Sequence, residues 1–375
     1  MAYSRKSKAT AEERRARTEA ASKELRETVV DELVKSMERD GPEWVKEWSG
    51  GSGSPRNPFT GTVYRGANAW ALMAQMKIRG YKDPRFCTFN NARDMGWHVR
   101  RGEHGCAVEY WKPYTFDDNK DPDNPDREGH IHSRWSLVSV TKVFNFEQIE
   151  GAPELEAPEP VPDHELYQVA DMLKESSRCR IFEEPSDRAY FSPARDEVHV
   201  PERGQFSRPE AFVSTLLHEM AHSTGIPNDR KLVGYVFDQD CYAREELIAE
   251  LSATLSSAML GIGYDYADGL DKSTQEYQNH VAYLKHWAGH LREHPDVLFK
   301  CSNDAQKATD FLIERYDEVA EAHGTARPDP DRQLKEQYEK RQAEKEQEGR
   351  PSATGRGGKA APAPVSGLET PTSAP

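Results

Sequence analysis

Two histidines stand four residues apart in TLLHEMAHSTG, residues 215–225, with a glutamate directly after the first. On a helix, positions i and i+4 share a face, so His218 and His222 can offer ring nitrogens to one metal ion. Glu219 then projects beside that ion as a general base, the H-E-x-x-H arrangement of zinc peptidases. Three fixed positions in five residues also arise by chance, and two surface histidines sharing a helix face are the alternative. The neighbours favour the metal. Phe212, Val213, Leu216, Leu217, Met220 and Ala221 make this helix core-embedded, and buried histidines beside a buried acid are costly without a partner.

A catalytic zinc site needs a third protein ligand and one open position. Downstream lies YAREELIAEL, residues 242–251, where Glu246 and Glu250 fall on one helix face. Glu246 is the expected third ligand, and Glu250 the expected acid that orients a histidine from behind. Glu245 competes for the ligand role, because the doublet leaves the register open. A solvated acidic face is the plain alternative, and it must then account for Leu247, Ile248, Ala249 and Leu251. With Zn²⁺ on His218, His222 and Glu246, Glu219 would take the proton of a bound water while the metal polarises a carbonyl. Tyr277, His280 and Tyr283 are candidates for stabilising the oxyanion.

A second chemistry is written in the first half. The chain carries a net charge of -14, which argues against nonspecific nucleic-acid binding by the whole. Yet residues 56–112 hold ten Lys and Arg against four acids, interleaved with Phe59, Tyr64, Trp70, Tyr81, Phe86, Phe89, Trp97, Tyr110 and Trp111. Cations neutralise phosphates and flat rings stack on unpaired bases, a pairing that suits single strands. Arg65, Lys82, Arg85, Arg100 and Arg101 are the expected phosphate contacts, with Tyr81 and Trp97 as stacking rings. Half or more of the aromatics, Trp70 and Phe89 among them, are equally read as core, and Arg100-Arg101 as a solvated turn.

The elements that must position these groups give an α+β chain of two domains. Residues 1–20 are charged and expected to be flexible, although Thr10 and Glu13 can cap a helix running to Arg39. A first α+β domain, 21–150, has a helix from Asn68 to Ile78 that ends at Gly80, followed by strands in RFCTF, GCAVEYW and RWSLVSVTKVFNF. Asp117–Gly129 reads as a mobile hairpin tip. The proline- and acid-rich segment 151–163 reads as a stiff linker that separates the domains. A mainly helical second domain, 164–326, holds helices near 164–176, 243–260, 275–293 and 303–323, with a strand or hairpin in AYFSPARDEVHVP. Residues 327–375 are too polar and too rich in Pro and Gly to fold alone, and read as a disordered tail. No apolar run reaches membrane-spanning length, the N-terminus lacks a secretory apolar core, and the five scattered cysteines fit reduced thiols in a cytoplasm.

The strings RNPFTGTVYRGANAW, GYKDPRFCTFNNARDMGWHVRRGEHGCAVEYW and VFNFEQIEG resemble the N-terminal domain of ArdC-type antirestriction proteins, a domain also found at the front of some plasmid DNA primases. AYFSPARDEVHVPERGQF, STLLHEMAHSTG and YAREELIAELSA are similar to the zincin-like metallopeptidase domain that follows it in that family. The resemblance runs from about residue 25 to 320. It implies an ArdC-like domain that binds single-stranded DNA with little sequence preference, and a zincin fold with the ligands named above. It further implies carriage on a plasmid, phage or other mobile element, and protection of incoming unmodified DNA in the cytoplasm of a bacterial host. A host restriction or defence factor would be the protein substrate. The alternatives are a DNA-binding shield with a catalytically idle zincin domain, and a general cytosolic zinc peptidase. Ser223 departs from the aromatic residue common in the family after the second histidine.

Overall fold

The computed structural model describes residues 10–40, 53–117, 131–156, 161–228, 230, 232, 239–263, 287–327 and 329–348. The expected hairpin tip beyond Asp117, most of the expected helix 275–293 and the chain after residue 348 lie outside them.

Helix α1, Ala11–Asp40, starts where Thr10 and Glu13 cap each other: the Thr10 amide donates to Glu13 Oε2 at 2.9 Å and the Glu13 amide to Thr10 Oγ1 at 3.1 Å. Two orphan amides of the first turn are thereby satisfied. The expectation of a flexible segment reaching residue 20 therefore fails for residues 11–20, which are helical. Along α1, Val29, Val30, Leu33, Val34 and Met37 form the buried stripe. Helix α2, Gly66–Arg79, buries Ala69, Trp70, Leu72 and Met73, and ends at Gly80, whose φ of 73° is the left-handed cap that glycine adopts without strain.

Between these helices rises an antiparallel sheet of strand order β3-β6-β5, with β3 Phe86–Thr88, β5 Cys106–Asp117 and β6 Ile131–Asn145. Short pairs β1 (Arg56–Asn57) with β2 (Thr62–Val63), and β4 (His98–Val99) with β7 (Ile149–Glu150), close its margins. Helix α3, Phe89–Asp94, follows β3.

The second half opens with α4, Asp163–Glu175. A three-stranded sheet follows, order β8-β10-β9, from β8 Arg180–Glu184, β9 Tyr190–Ser192 and β10 Glu197–Pro201. Strand β10 pairs parallel with β8 and antiparallel with β9, which leaves β9 at an edge. Then come α5 (Pro209–Ser223), α6 (Gln239–Leu260) and α7 (Pro295–Ala322). Pro209 sits in the first turn of α5, where its missing amide costs nothing.

The halves are not beads on a linker. Leu25 to Met37 of α1 and Ala69 to Ala74 of α2 share one hydrophobic cluster with Leu166, Phe212, Leu217, Leu247, Leu298 and Tyr316 of the second half. The Gly66 amide donates to Gln306 Oε1 of α7 at 2.9 Å, and Arg292 pairs with Glu38. Sequence periodicity reports which face of a helix is apolar, not which partner covers it, so the separation expected from the linker could not be tested there.

The expected disordered tail is corrected in part. Helix α8, Arg332–Glu348, returns to the first domain. Leu334 and Tyr338, four apart on one face, pack on the cluster of Phe59, Cys87, Ala92, Met95, Phe146 and Ile149. Tyr338 lies 4.9 Å from the Phe59 ring and accepts a hydrogen bond from Asn91 Nδ2 at 3.0 Å. Asp331 pairs with Arg56, and Lys345 with Asp94 at 2.9 Å. The composition of this segment cannot build a core of its own, but two apolar anchors suffice where another domain supplies the other side.

Candidate metal centre

Helix α5 is buried on all sides from Ala211 to Ser223. A helix without a solvated face belongs to the interior, so His218, Glu219 and His222 have no water-facing option. Helix α6 packs beside it and presents Glu245, Glu246 and Glu250, all buried. The histidine Nε2 atoms converge to 3.2 Å, and Glu246 reaches both: Oε2 lies 3.5 Å from His218 Nε2 and Oε1 3.6 Å from His222 Nε2. His218, His222 and Glu246 form the one group of metal-donor side chains found among the described residues.

The opposite ring nitrogens face two further acids. His218 Nδ1 lies 3.1 Å from Glu250 Oε2, and His222 Nδ1 lies 3.3 Å from Glu245 Oε1. Carboxylates at Nδ1 favour the tautomer with its proton there, so both Nε2 lone pairs turn toward each other and toward Glu246. Lone pairs at that separation repel unless a cation stands between them.

The charge inventory agrees. Four buried carboxylates, Glu219, Glu245, Glu246 and Glu250, face one guanidinium, Arg230. A divalent cation offsets most of that excess, and a proton held in the site the rest. These residues therefore fit a divalent metal ion. The same acids make the site attract positive charge: burial opposes charge on His218, but Glu246, Glu250 and the field of Glu219 override it and raise its proton affinity above the ordinary imidazole range, so that a proton or a metal ion at Nε2 is favoured. Burial raises Glu219 above the usual carboxylate value, against the pull of the two histidines and, least, of the Phe191 backbone on edge strand β9.

The Glu245–Glu246 ambiguity is decided by α6 packing: Glu246 faces the ring nitrogens that converge, and Glu245 stands behind His222. Arg230 fixes Glu245, its Nε donating to Oε2 at 2.9 Å and its Nη2 to Oε1 at 2.6 Å. Nothing in sequence spacing pointed to Arg230, which lies in a loop between the two helices. Tyr277, His280 and Tyr283 lie outside the described residues.

The residues expected to meet DNA divide: Lys82 and Arg100 lie together beside Glu147, whose side chain accepts from the Lys82 amide at 2.5 Å, while Arg85, Trp97 and Arg65 are engaged elsewhere. Arg85 is corrected: its side chain is buried, paired with Asp83 at 2.6 Å and laid over the Phe146 ring, with Nη2 donating to the Pro153 carbonyl at 2.9 Å. A charge so enclosed is satisfied by the fold and has no phosphate to seek. Trp97 is half-buried between Phe59 and Phe146, at 5.6 Å from each ring, and flanks Gly151. Arg65 pairs with Asp310 of α7, and Arg100 binds the Glu147 carbonyl and approaches Glu103 at 3.6 Å. Tyr81 is half-buried, while Lys82 and Arg101 are exposed. Trp70 is core, but Phe89, also read as core, is exposed at the start of α3, with its ring 6.4 Å from Phe144.

Comparison with known proteins follows the same division. Residues 23–144 match the N-terminal domain of anti-restriction factor ArdC, and residues 168–304 match a zincin-like metallopeptidase. Two DNA primases TraC of Escherichia coli are 34% and 33% identical over 78% of this chain. The chain spans only 27% and 20% of those primases. An uncharacterized protein, y4eC, of Sinorhizobium fredii is 28% identical, covering 79% of this chain and 94% of its own. Crystal structures of the antirestriction protein ArdC from plasmid R388, metal-free and Mn(II)-bound, superpose with TM-scores of 0.57 and 0.55. Both are 29% identical and cover 78% of this chain and 98% of theirs. Helix α8 lies beyond both matched family segments. The chain belongs to the ArdC-type antirestriction proteins, an ArdC N-terminal domain joined to a zincin-like metallopeptidase domain.

Proposed function

We propose that the protein binds single-stranded DNA through its first domain and hydrolyses peptide bonds of a host protein with its second, using Zn²⁺ on His218, His222 and Glu246. The observation that carries this reading is the buried Glu219 beside two convergent imidazoles and an acid. A structural ion needs no such base, which argues against an idle site. Bound there, a divalent metal supplies a Lewis acid and a water acidified toward neutral pH. Glu250 and Glu245 hold the imidazoles in orientation. Glu219 accepts the proton of the attacking water and returns it to the leaving amine.

The related ArdC structure contains Mn(II), so the metal loaded here is part of the test. Purified protein should contain about one zinc per chain, and should cleave a component of a bacterial lysate that Glu219→Gln leaves whole. Cleavage by Glu219→Gln at the wild-type rate would refute the base assignment. Binding to single-stranded DNA should exceed binding to duplex and fall steeply with salt; duplex preference would refute the DNA reading.

A further inference from the structure

Ten large apolar side chains are prominently exposed among the described residues, and five of them, Tyr110, Trp111, Tyr114, Trp135 and Val138, lie on the β5–β6 ribbon. Patches of this kind mark interaction sites on soluble proteins. At its root the ribbon is held between the two N-terminal helices. Glu109 is buried, takes hydrogen bonds from Ser22 and Trp111 and pairs with Arg26 of α1 at 3.0 Å, while Asn68 of α2 bonds the Glu109 backbone. Cys106, Val108 and Val143 pack beneath α2 in a cluster with Leu72 and Phe86. Beyond the root, Tyr110 is 49% exposed, Tyr114 61% and Trp135 62%.

The register sorts the two faces. Side chains alternate along a strand and directly paired residues share a face. Tyr110, Lys112 and Tyr114 therefore stand on one face, paired with Ser139, Ser136 and Arg134. Trp111 and Pro113 stand on the other, paired with Leu137 and Trp135. The irregularity at Tyr110/Trp111 leaves Val138 as the extra residue. The first face combines rings and hydroxyls with the Lys112 cation, whose Nζ lies 5.6 Å from the Tyr110 ring centre. The second offers rings and aliphatic groups at Trp111, Pro113, Leu137 and Trp135, with Lys142 nearer the root, opposite Ala107. No acid is exposed among residues 110–115 and 135–142, and the root acid, Glu109, is already neutralised.

We propose that the Tyr110–Lys112–Tyr114 face of this ribbon is the stacking platform for single-stranded DNA, the tyrosines taking bases and Lys112 a phosphate. The proposal rests on the reading that the first domain binds single strands, and it moves the contact away from Trp97 and Arg85, which serve packing. The sequence joining the strands, residues 118–130, has five Asp and Glu against one Lys and one Arg, so Lys112, not the net charge of the ribbon, must meet the phosphate. Every base has a π-face, so such a platform is tolerant of sequence.

The test is fluorescence anisotropy of a labelled oligothymidylate with the full chain, metal content and melting temperature being checked for each variant. Tyr110→Ala/Tyr114→Ala should weaken binding by about 5-fold or more per ring, and the Tyr→Phe pair should retain it, because rings and not hydroxyls stack. Lys112→Ala should lower the salt slope by about 0.7, the value for one phosphate on a single strand. Trp135→Ala, on the opposite face, should change affinity less than about twofold. Wild-type protein that fails to bind single strands overturns the reading and this proposal together. Wild-type binding that the tyrosine pair leaves unchanged overturns the platform alone, as does a loss in Trp135→Ala equal to that of the pair.

Discussion

Arg230→Met tests how the metal centre is built. Arg230 is almost fully enclosed, with its side chain 8% exposed against 6% for Glu245. Besides its two bonds to Glu245, it donates to the Ala221 carbonyl at 2.8 Å and to Thr224 Oγ1 at 2.9 Å. It thus ties the end of α5 to α6 and holds the carboxylate behind His222. Methionine keeps much of the volume but leaves Glu245 charged, buried and uncompensated, which costs about 3–5 kcal/mol when one partner of a buried pair is removed. Urea denaturation of the metal-free protein should show a loss in that range. A chelator competition should show metal affinity about 10–100-fold weaker, the usual effect of losing a group that orients a metal-binding histidine. Adding Glu245→Gln should recover part of the stability, because no bare charge remains, with a coupling of about 0.5–3 kcal/mol. A loss below about 1 kcal/mol with unchanged metal affinity would refute the clamp, since that is the scale of an exposed pair.

His222→Ala should lose most of the metal by elemental analysis and lower the melting temperature, since metal binding contributes to folding; Glu219→Gln should keep the metal. Tyr338→Ala, or truncation after residue 327, should uncover the Phe59 cluster and cost about 1–3 kcal/mol in urea denaturation, as expected for a half-buried aromatic. A truncated chain of unchanged stability would show that α8 does not contribute. Glu183 is held down to about 2 by Arg203 first, then by Lys174, against an ordinary value of 4.5. A depressed acid stabilises above its unfolded value, so this contribution is full above about pH 4.5 and is lost as pH falls toward 2. Glu183→Gln should remove that part of the acid dependence of the melting temperature.

The sequence by itself determined whatever depends on neighbours along the chain. The i, i+4 spacing on an apolar helix put His218 and His222 on one side of α5, the same rule aligned Glu246 with Glu250, and Gly80 ended α2 because a left-handed residue was required there. Local capping was also present at Thr10 and Glu13, although charge composition suggested a frayed segment instead. Which of Glu245 and Glu246 meets the imidazoles was decided only by how α6 packs on α5, because neighbouring residues differ by about 100° around a helix. Arg230 became visible only in three dimensions, being bound to Glu245 by a loop whose path spacing does not encode. Arg85 and Lys112 are both cations in the same basic stretch, yet one is spent on Asp83 inside the fold and the other stands on an open strand face. Composition counts both alike, and burial separates them. The same holds for Leu334 and Tyr338: on their own helix they have nothing to pack against, and only the return of the chain to the first domain supplies the other half of their core.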